Sequence, residues 1–190
     1  MIKLYCFGES GNAYKAALPL ELSGLEWEAE KVDFFGGQAR SPEYQAMNVM
    51  GEVPVLVDGD LTLSQSGVIQ MYITEKSGKF GGSSREENRE ITRWMFWDNH
   101  KLSSQAGMTR FLMNFLPEEK RPQEVIAFNA GRLKAAFKTL DTALEGRDWL
   151  IGNHMTLADT LAFVHACWGL RVDPPTTEYP NIWSFAQNMA

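Results

Sequence analysis

The spacing of apolar positions changes once along the chain, near residue 80, and the change divides it in two. Before that point the runs are short. Residues 2–7 read as an apolar strand, Asn12 to Leu22 as a helix with Pro19 in its interior, and Trp27 to Val32 as a second strand. Pro42 to Met47 fits a short helical or irregular connection. Val53, Val55 and Val57, followed across Asp58-Gly59-Asp60 by Leu61 and Leu63, predict a strand–turn–strand hairpin, and Gly67 to Thr74 a helix after it. This order predicts a mixed sheet with helices packed on it. Gly78-Lys79-Phe80-Gly81-Gly82-Ser83-Ser84 then breaks every periodicity and reads as a linker. No convincing strand follows it. Ile91, Trp94, Met95 and Leu102 open a long helix, and Leu133, Phe137, Leu140 and Leu144 form one apolar stripe. Leu157, Leu161, Val164 and Trp168 form another, entered through the capping-box pattern Thr156-Leu157-Ala158-Asp159.

Composition narrows the function classes. A chain of 190 residues with 44% apolar content can bury a substantial core, as one domain or two small ones. A formal charge of −6 and the absence of a Lys/Arg block argue against a nucleic-acid partner. The segment from Leu157 to Leu170 is broken by Asp159 and His165 and is too short to span a bilayer, so no membrane partner is expected. The opening MIKLYCF enters a strand pattern without a signal-type apolar core. Two cysteines, Cys6 and Cys167, without a CxxC pair fit a reducing compartment, with neither a disulfide framework nor a zinc knuckle. His100, His154 and His165 are scattered singly, and no metal is expected. The chain stops just after the amphipathic segment Ile182 to Met189, which leaves room for a further C-terminal piece.

The hairpin contains a contradiction. Pro54 removes a ladder donor inside an otherwise good strand, and Ser64-Gln65-Ser66 places small polar groups directly beside it. Alone, these residues are an edge breaker and a helix cap. Ser10, between the first strand and the first helix, likewise has an ordinary role as an N-cap, in a turn with several unpaired N–H donors.

Four stretches in order carry a resemblance over essentially the whole chain. They are "LYCFGESGNAYKAAL", "GEVPVLVDGDLTLSQSGVI", "WLIGNHMTLADTLAF", and the linker with the Trp-containing helix after it. Together they resemble the cytosolic glutathione transferases, of a serine-type, bacterial or theta-like kind. The resemblance implies a thioredoxin-like α/β N-terminal domain at residues 1–79, a linker at 80–85, and an all-α helical domain at 86–190 that contributes the electrophile site. It implies a cytoplasmic homodimer acting in detoxification, with glutathione as co-substrate, a small hydrophobic electrophile as second substrate, and no cofactor. A non-catalytic binding or interaction protein of the same fold is the alternative.

The same resemblance assigns roles. Ser10 would hydrogen-bond the glutathione sulfur and favour its thiolate, with Asn12 supporting the turn. Pro54 would be cis, turning Val53 out of the sheet so that its N–H and C=O meet the cysteinyl part of glutathione. Gln65 and Ser66 would hold the γ-glutamyl end at a helix N-terminus. Glu52 departs from the pattern: many members carry a Lys or His there to hold the glycine carboxylate, and Glu52 presents like charge unless Arg40, Lys15 or a partner chain compensates. Tyr5 is read as packing and Cys6 as an inert cysteine that falls too early for the catalytic turn. Asp159 is read as structural, and Asp98 as a candidate link across a dimer. The electrophile pocket is expected between the domains. Trp94, Trp97, Met108, Phe111 and Met113 are candidates to line it, although most of the five are expected in the core.

Overall fold

The computed structural model describes residues 1–165 and 178–189. The chain divides into two compact units at Gly81 and Gly82. In the first, β1 (Ile2–Cys6), α1 (Gly11–Ser23), β2 (Trp27–Lys31), α2 (Pro42–Met47), β3 (Val55–Asp58), β4 (Leu61–Ser64) and α3 (Ser66–Ser77) follow in that order. The four strands form one sheet in the order β2-β1-β3-β4. β1 and β2 are parallel, whereas β3 runs antiparallel to both β1 and β4.

Local chemistry accounts for most boundaries. Ser41 caps α2, accepting from Tyr44 N–H, with Pro42 at the first helical position where its missing N–H costs nothing. α1 ends at Gly24, whose φ of 79° is the left-handed conformation that glycine adopts without a Cβ penalty. Pro19 sits inside α1 without ending it.

The sheet has a core on each face. On one, Ile2, Leu4 and Leu56 pack with Ala16 and Leu20 of α1 and Ile69 and Ile73 of α3. Each helix supplies a pair four residues apart, which is one face of a helix. Fully burying each Leu or Ile contributes roughly 1.5–3 kcal/mol. On the other face Val32, Ala39, Tyr44 and Val55 form the second cluster, with Tyr5 packed against it and Cys6 against the first. Strand alternation separates these neighbours, and Tyr5 is a packing residue.

The described part of the second unit is helical: α4 (Arg85–Trp97), α5 (Ser104–Asn114), α6 (Gln123–Ala143), α7 (Leu157–Phe163) and α8 (Pro180–Asn188). Ser84 caps α4 by accepting from Glu87 N–H at 3.1 Å. Between α4 and α5 the helix passes through wider, π-type turns at Asp98–Ser103, which the apolar spacing did not announce. Leu133, Phe137, Leu140 and Leu144 are all buried, as are Leu157, Leu161 and Val164; Trp168 and Cys167 lie outside the described residues. Of the five aromatic and Met positions expected mostly in the core, only Trp94 is buried. Met108 and Phe111 are 51% and 41% exposed, because α5 turns Ala106, Thr109 and Leu112 inward instead.

Candidate functional site

Register brings the site residues together. Tyr5 pairs with Val55, and Val55 pairs with Ser64. The end of β1, the start of β3 and the end of β4 therefore lie side by side at one edge of the sheet. The turn leading to Ser10, the Glu52-Val53-Pro54 approach and the Gln65-Ser66 corner all leave from that edge. α1 and α3 both begin there, so two helix N-termini, each carrying partial positive charge, open toward the same region.

Ser10 is the N-cap of α1. Its Oγ accepts from Ala13 N–H at 3.1 Å, and its own N–H donates to the Phe7 carbonyl at 3.0 Å. Capping uses an oxygen lone pair and leaves the hydroxyl hydrogen to be donated elsewhere. Phe7 stacks on Phe34 with ring centroids 4.8 Å apart, and the Val32 N–H donates to the Cys6 carbonyl at 2.8 Å. The turn is thus fastened to the segment after β2, a support that the sequence did not reveal. Asn12, in the first turn of α1, is exposed.

The Val53–Pro54 peptide bond is cis. Pro54 is buried, and Val53 precedes Val55, the first residue of β3 paired in the sheet. The preceding carbonyl is held twice. Glu52 O accepts from the Tyr44 hydroxyl at 3.0 Å and from Asn48 Nδ2 at 2.8 Å. Burial pushes the Tyr44 phenol up to about 12, so it remains a donor across the physiological range. Tyr44 and Asn48 were missed in the sequence because their spacing from Glu52 acquires meaning only once α2 is packed against the sheet.

Gln65 occupies the N-cap position of α3 with φ of 70° and no side-chain cap bond. Its Nε2 donates to Glu52 Oε2 at 3.3 Å and contacts the Met50 sulfur at 3.1 Å. The Glu52 side chain meets the Gln65 amide, while Arg40 is exposed and Lys15 is only 1% exposed within α1. Ser66 is the first residue of α3 and is half-buried.

Other candidates separate from this edge. Burial pushes the Cys6 thiol up, disfavouring the thiolate that reactive cysteines require. Asp98 is buried in the helical unit and accepts from Ser103 Oγ at 2.7 Å, with His165 Nδ1 3.2 Å from the same hydroxyl. An acid buried in this way is not presented at a surface. Asp159 Oδ1 accepts from Leu150 N–H at 2.8 Å, and its Oδ2 accepts from Thr156 N–H at 2.7 Å and Thr156 Oγ1 at 2.9 Å, which makes it structural. Thr160 is buried and donates to the Leu157 carbonyl.

Known proteins share this fold. Residues 1–75 match the family model "Glutathione S-transferase, N-terminal domain", and residues 103–190 match "Glutathione S-transferase, C-terminal domain". Glutathione S-transferase 4 of Zea mays is 31% identical over 166 residues, covering 85% of this chain and 74% of its own. Elongation factor 1-gamma 1 of Oryza sativa subsp. japonica is 28% identical over 94% of this chain, which spans only 44% of that protein. The crystal structure of a glutathione S-transferase from Xanthobacter autotrophicus Py2 superposes with a TM-score of 0.92 at 25% identity, covering all of this chain and 93% of that one. With both family models matched in order along one chain, this protein belongs to the glutathione S-transferase family.

Proposed function

We propose that this protein is a serine-type, theta-like glutathione transferase that conjugates glutathione to a small hydrophobic electrophile or reduces one with it. One observation carries the reading: a serine hydroxyl with a hydrogen to spare, a cis-proline corner and an uncapped helix N-terminus share one sheet edge. In this proposal the γ-glutamyl carboxylate lies at the start of α3, where Ser66 and the free N–H groups favour an anion. Gln65 orients the same end. Val53 pairs its N–H and C=O with the cysteinyl backbone as an added strand would. The thiol then falls beside Ser10, whose O–H donates to sulfur. A hydrogen bond to the charged form favours that form, so the thiol loses its proton to solvent more readily. In conjugation the thiolate forms the S–C bond as the leaving group departs with its electron pair. Asn12 steadies the turn, and no cofactor takes part.

The same reading makes the protein a cytoplasmic homodimer with a role in detoxification. Among the described residues no helix is long and apolar enough to cross a membrane.

Retention on immobilised glutathione, together with turnover of a generic aryl halide, tests the proposal. The wild type is expected to be retained and to turn over. A second reading, a non-catalytic member of the fold, draws on Glu52, which sets a carboxylate against Gln65 where a glycine carboxylate would approach, and on the likeness to an elongation factor subunit. Retention without turnover of either an aryl halide or a peroxide decides for that second reading.

A further inference from the structure

We infer that Met50 is a positioning residue for Gln65 and a site of reversible oxidation: a hydroperoxide converts its thioether to the sulfoxide, frees the Gln65 amide and weakens glutathione binding. The effect on binding rests on the functional reading above; the contact between Met50 and Gln65 does not.

The loop before β3 is fixed by one buried side chain. Asn48 Oδ1 accepts from Met50 N–H at 3.2 Å, the Asn48 carbonyl accepts from Gly51 N–H at 2.9 Å, and its Nδ2 donates to the Glu52 carbonyl. Gly51, at φ of 62°, lies so close to the next segment that a Cβ there would stand 2.9 Å from the Ala39 carbonyl oxygen. The Met50 side chain therefore leaves the loop from a set point, and its sulfur ends 3.1 Å from Gln65 Nε2.

Gln65 depends on that contact. It stands at positive φ, which costs a residue with a Cβ, and no side-chain cap bond anchors it. Its amide meets two acceptors, the Met50 sulfur and Glu52 Oε2 at 3.3 Å, the second on an exposed residue. With the amide hydrogens engaged there, Oε1 is left to accept from a ligand's ammonium at the start of α3.

Oxidation removes one of the two acceptors. A sulfur lone pair attacks one peroxide oxygen, an S–O bond forms as the O–O bond breaks, and the other oxygen leaves with the proton as water or an alcohol. Sulfur is oxidised by two electrons and the peroxide reduced by two. An oxygen on the lone pair aimed at Gln65 would stand between sulfur and nitrogen. An oxygen on the other lone pair leaves the sulfur partly positive, a poor acceptor for an N–H. Both sulfoxide epimers thus release the amide. Met50 is 57% exposed and open to a peroxide; Met1, Met71 and Met108 are comparably open, so the contact with Gln65 is what singles Met50 out.

Two readouts on the full chain test this: NMR of the Gln65 side-chain amide, and titration with S-methylglutathione, whose blocked thiol cannot reduce the protein. Treatment with hydrogen peroxide, then removed, is expected to shift the Gln65 amide resonances in step with Met50 sulfoxide measured by mass spectrometry. It should also raise the Kd for S-methylglutathione about fivefold. The two epimer-specific methionine sulfoxide reductases with a dithiol, which becomes a disulfide as the oxygen leaves in water, should reverse both changes. The dithiol alone should not, which separates Met50 from the cysteines. Met50→Leu keeps the bulk without the acceptor, so it is expected to bind about threefold more weakly before treatment and no worse after it. Met71→Leu should respond to peroxide as the wild type does. Gln65 resonances that stay in place while Met50 is oxidised, or a Met50→Leu protein that still loses affinity to peroxide, overturn the proposal. Failure of the untreated wild type to bind S-methylglutathione would instead refute the functional reading and with it the effect on binding, while the Gln65 resonances would still decide whether Met50 holds that amide.

Discussion

The starts of α7 and α3 use similar small polar residues and reach opposite states. At α7, Asp159 is fully buried and directs both carboxylate oxygens at its own neighbourhood, taking up Leu150 N–H, Thr156 N–H and the Thr156 hydroxyl. At α3, Gln65 stands in a left-handed conformation without a cap bond and Ser66 is half-buried, at the sheet edge where Ser10 and Pro54 also arrive. A polar cluster whose oxygens are all engaged internally is architecture. One that leaves helix N–H groups open, beside a hydroxyl with a hydrogen to give, is equipped to meet an anion. The start of α1 stands between the two, because Ser10 caps its helix and still keeps a donor.

The largest expected effect falls on the closed end. Asp159→Ala leaves three donors without their acceptor in a buried site, which should cost about 3 kcal/mol or more of stability. Chemical denaturation reads this as a lower midpoint. The comparison fails if the midpoint is unmoved. Burial holds the Asp159 carboxyl above its usual range despite its three donors, so the folded state binds this proton more readily than the unfolded chain. Its own contribution therefore makes stability fall as pH rises between the ordinary value and the raised one, and Asp159→Asn should remove that slope.

At the open end the effects should appear in binding, with little change in stability. Ser66→Ala is expected to raise the glutathione Kd about tenfold while leaving the saturating rate nearly unchanged, because its contact is present before and during the reaction. A normal affinity with a collapsed saturating rate would move Ser66 out of the γ-glutamyl position. Glu52→Gln should tighten binding more modestly, by about fivefold once salt and water have screened the like-charge repulsion. Glu52→Lys should tighten it further, with an advantage that fades at high salt. Identical affinities for all three chains at low and high salt would remove Glu52 from the site.

How much of this contrast the sequence revealed follows the range of the interactions. The capping box of α7 was legible because cap and donor lie within four residues, whereas the Ser41 cap of α2 was not read from the sequence. The hairpin was legible through Asp58-Gly59-Asp60 and its alternating flanks, but Val53, expected within its first strand, stands before the ladder. The cis bond was available only through the resemblance, since local sequence shows where a proline sits and not its isomer. The left-handed Gln65 had no signal, because glutamine is not a residue that favours positive φ. Tyr44 and Asn48 fasten the Glu52 carbonyl across a helix-to-sheet contact. Exposure of Met108 and Phe111 was misjudged for a related reason: apolar spacing marks a helical face without saying what covers it.

The central claim is that Ser10 uses its spare hydrogen to stabilise the glutathione thiolate. It is tested most directly by titrating the thiol of bound glutathione through its ultraviolet absorbance in the wild type, in Ser10→Ala and in Cys6→Ala. One hydrogen bond to a charged group is worth roughly 1.5–3 kcal/mol, so Ser10→Ala should raise the bound thiol's pKa by about one to two pH units. Cys6→Ala should leave the curve where it is. Superimposable curves for the wild type and Ser10→Ala, or a shift produced by Cys6→Ala alone, would contradict the account.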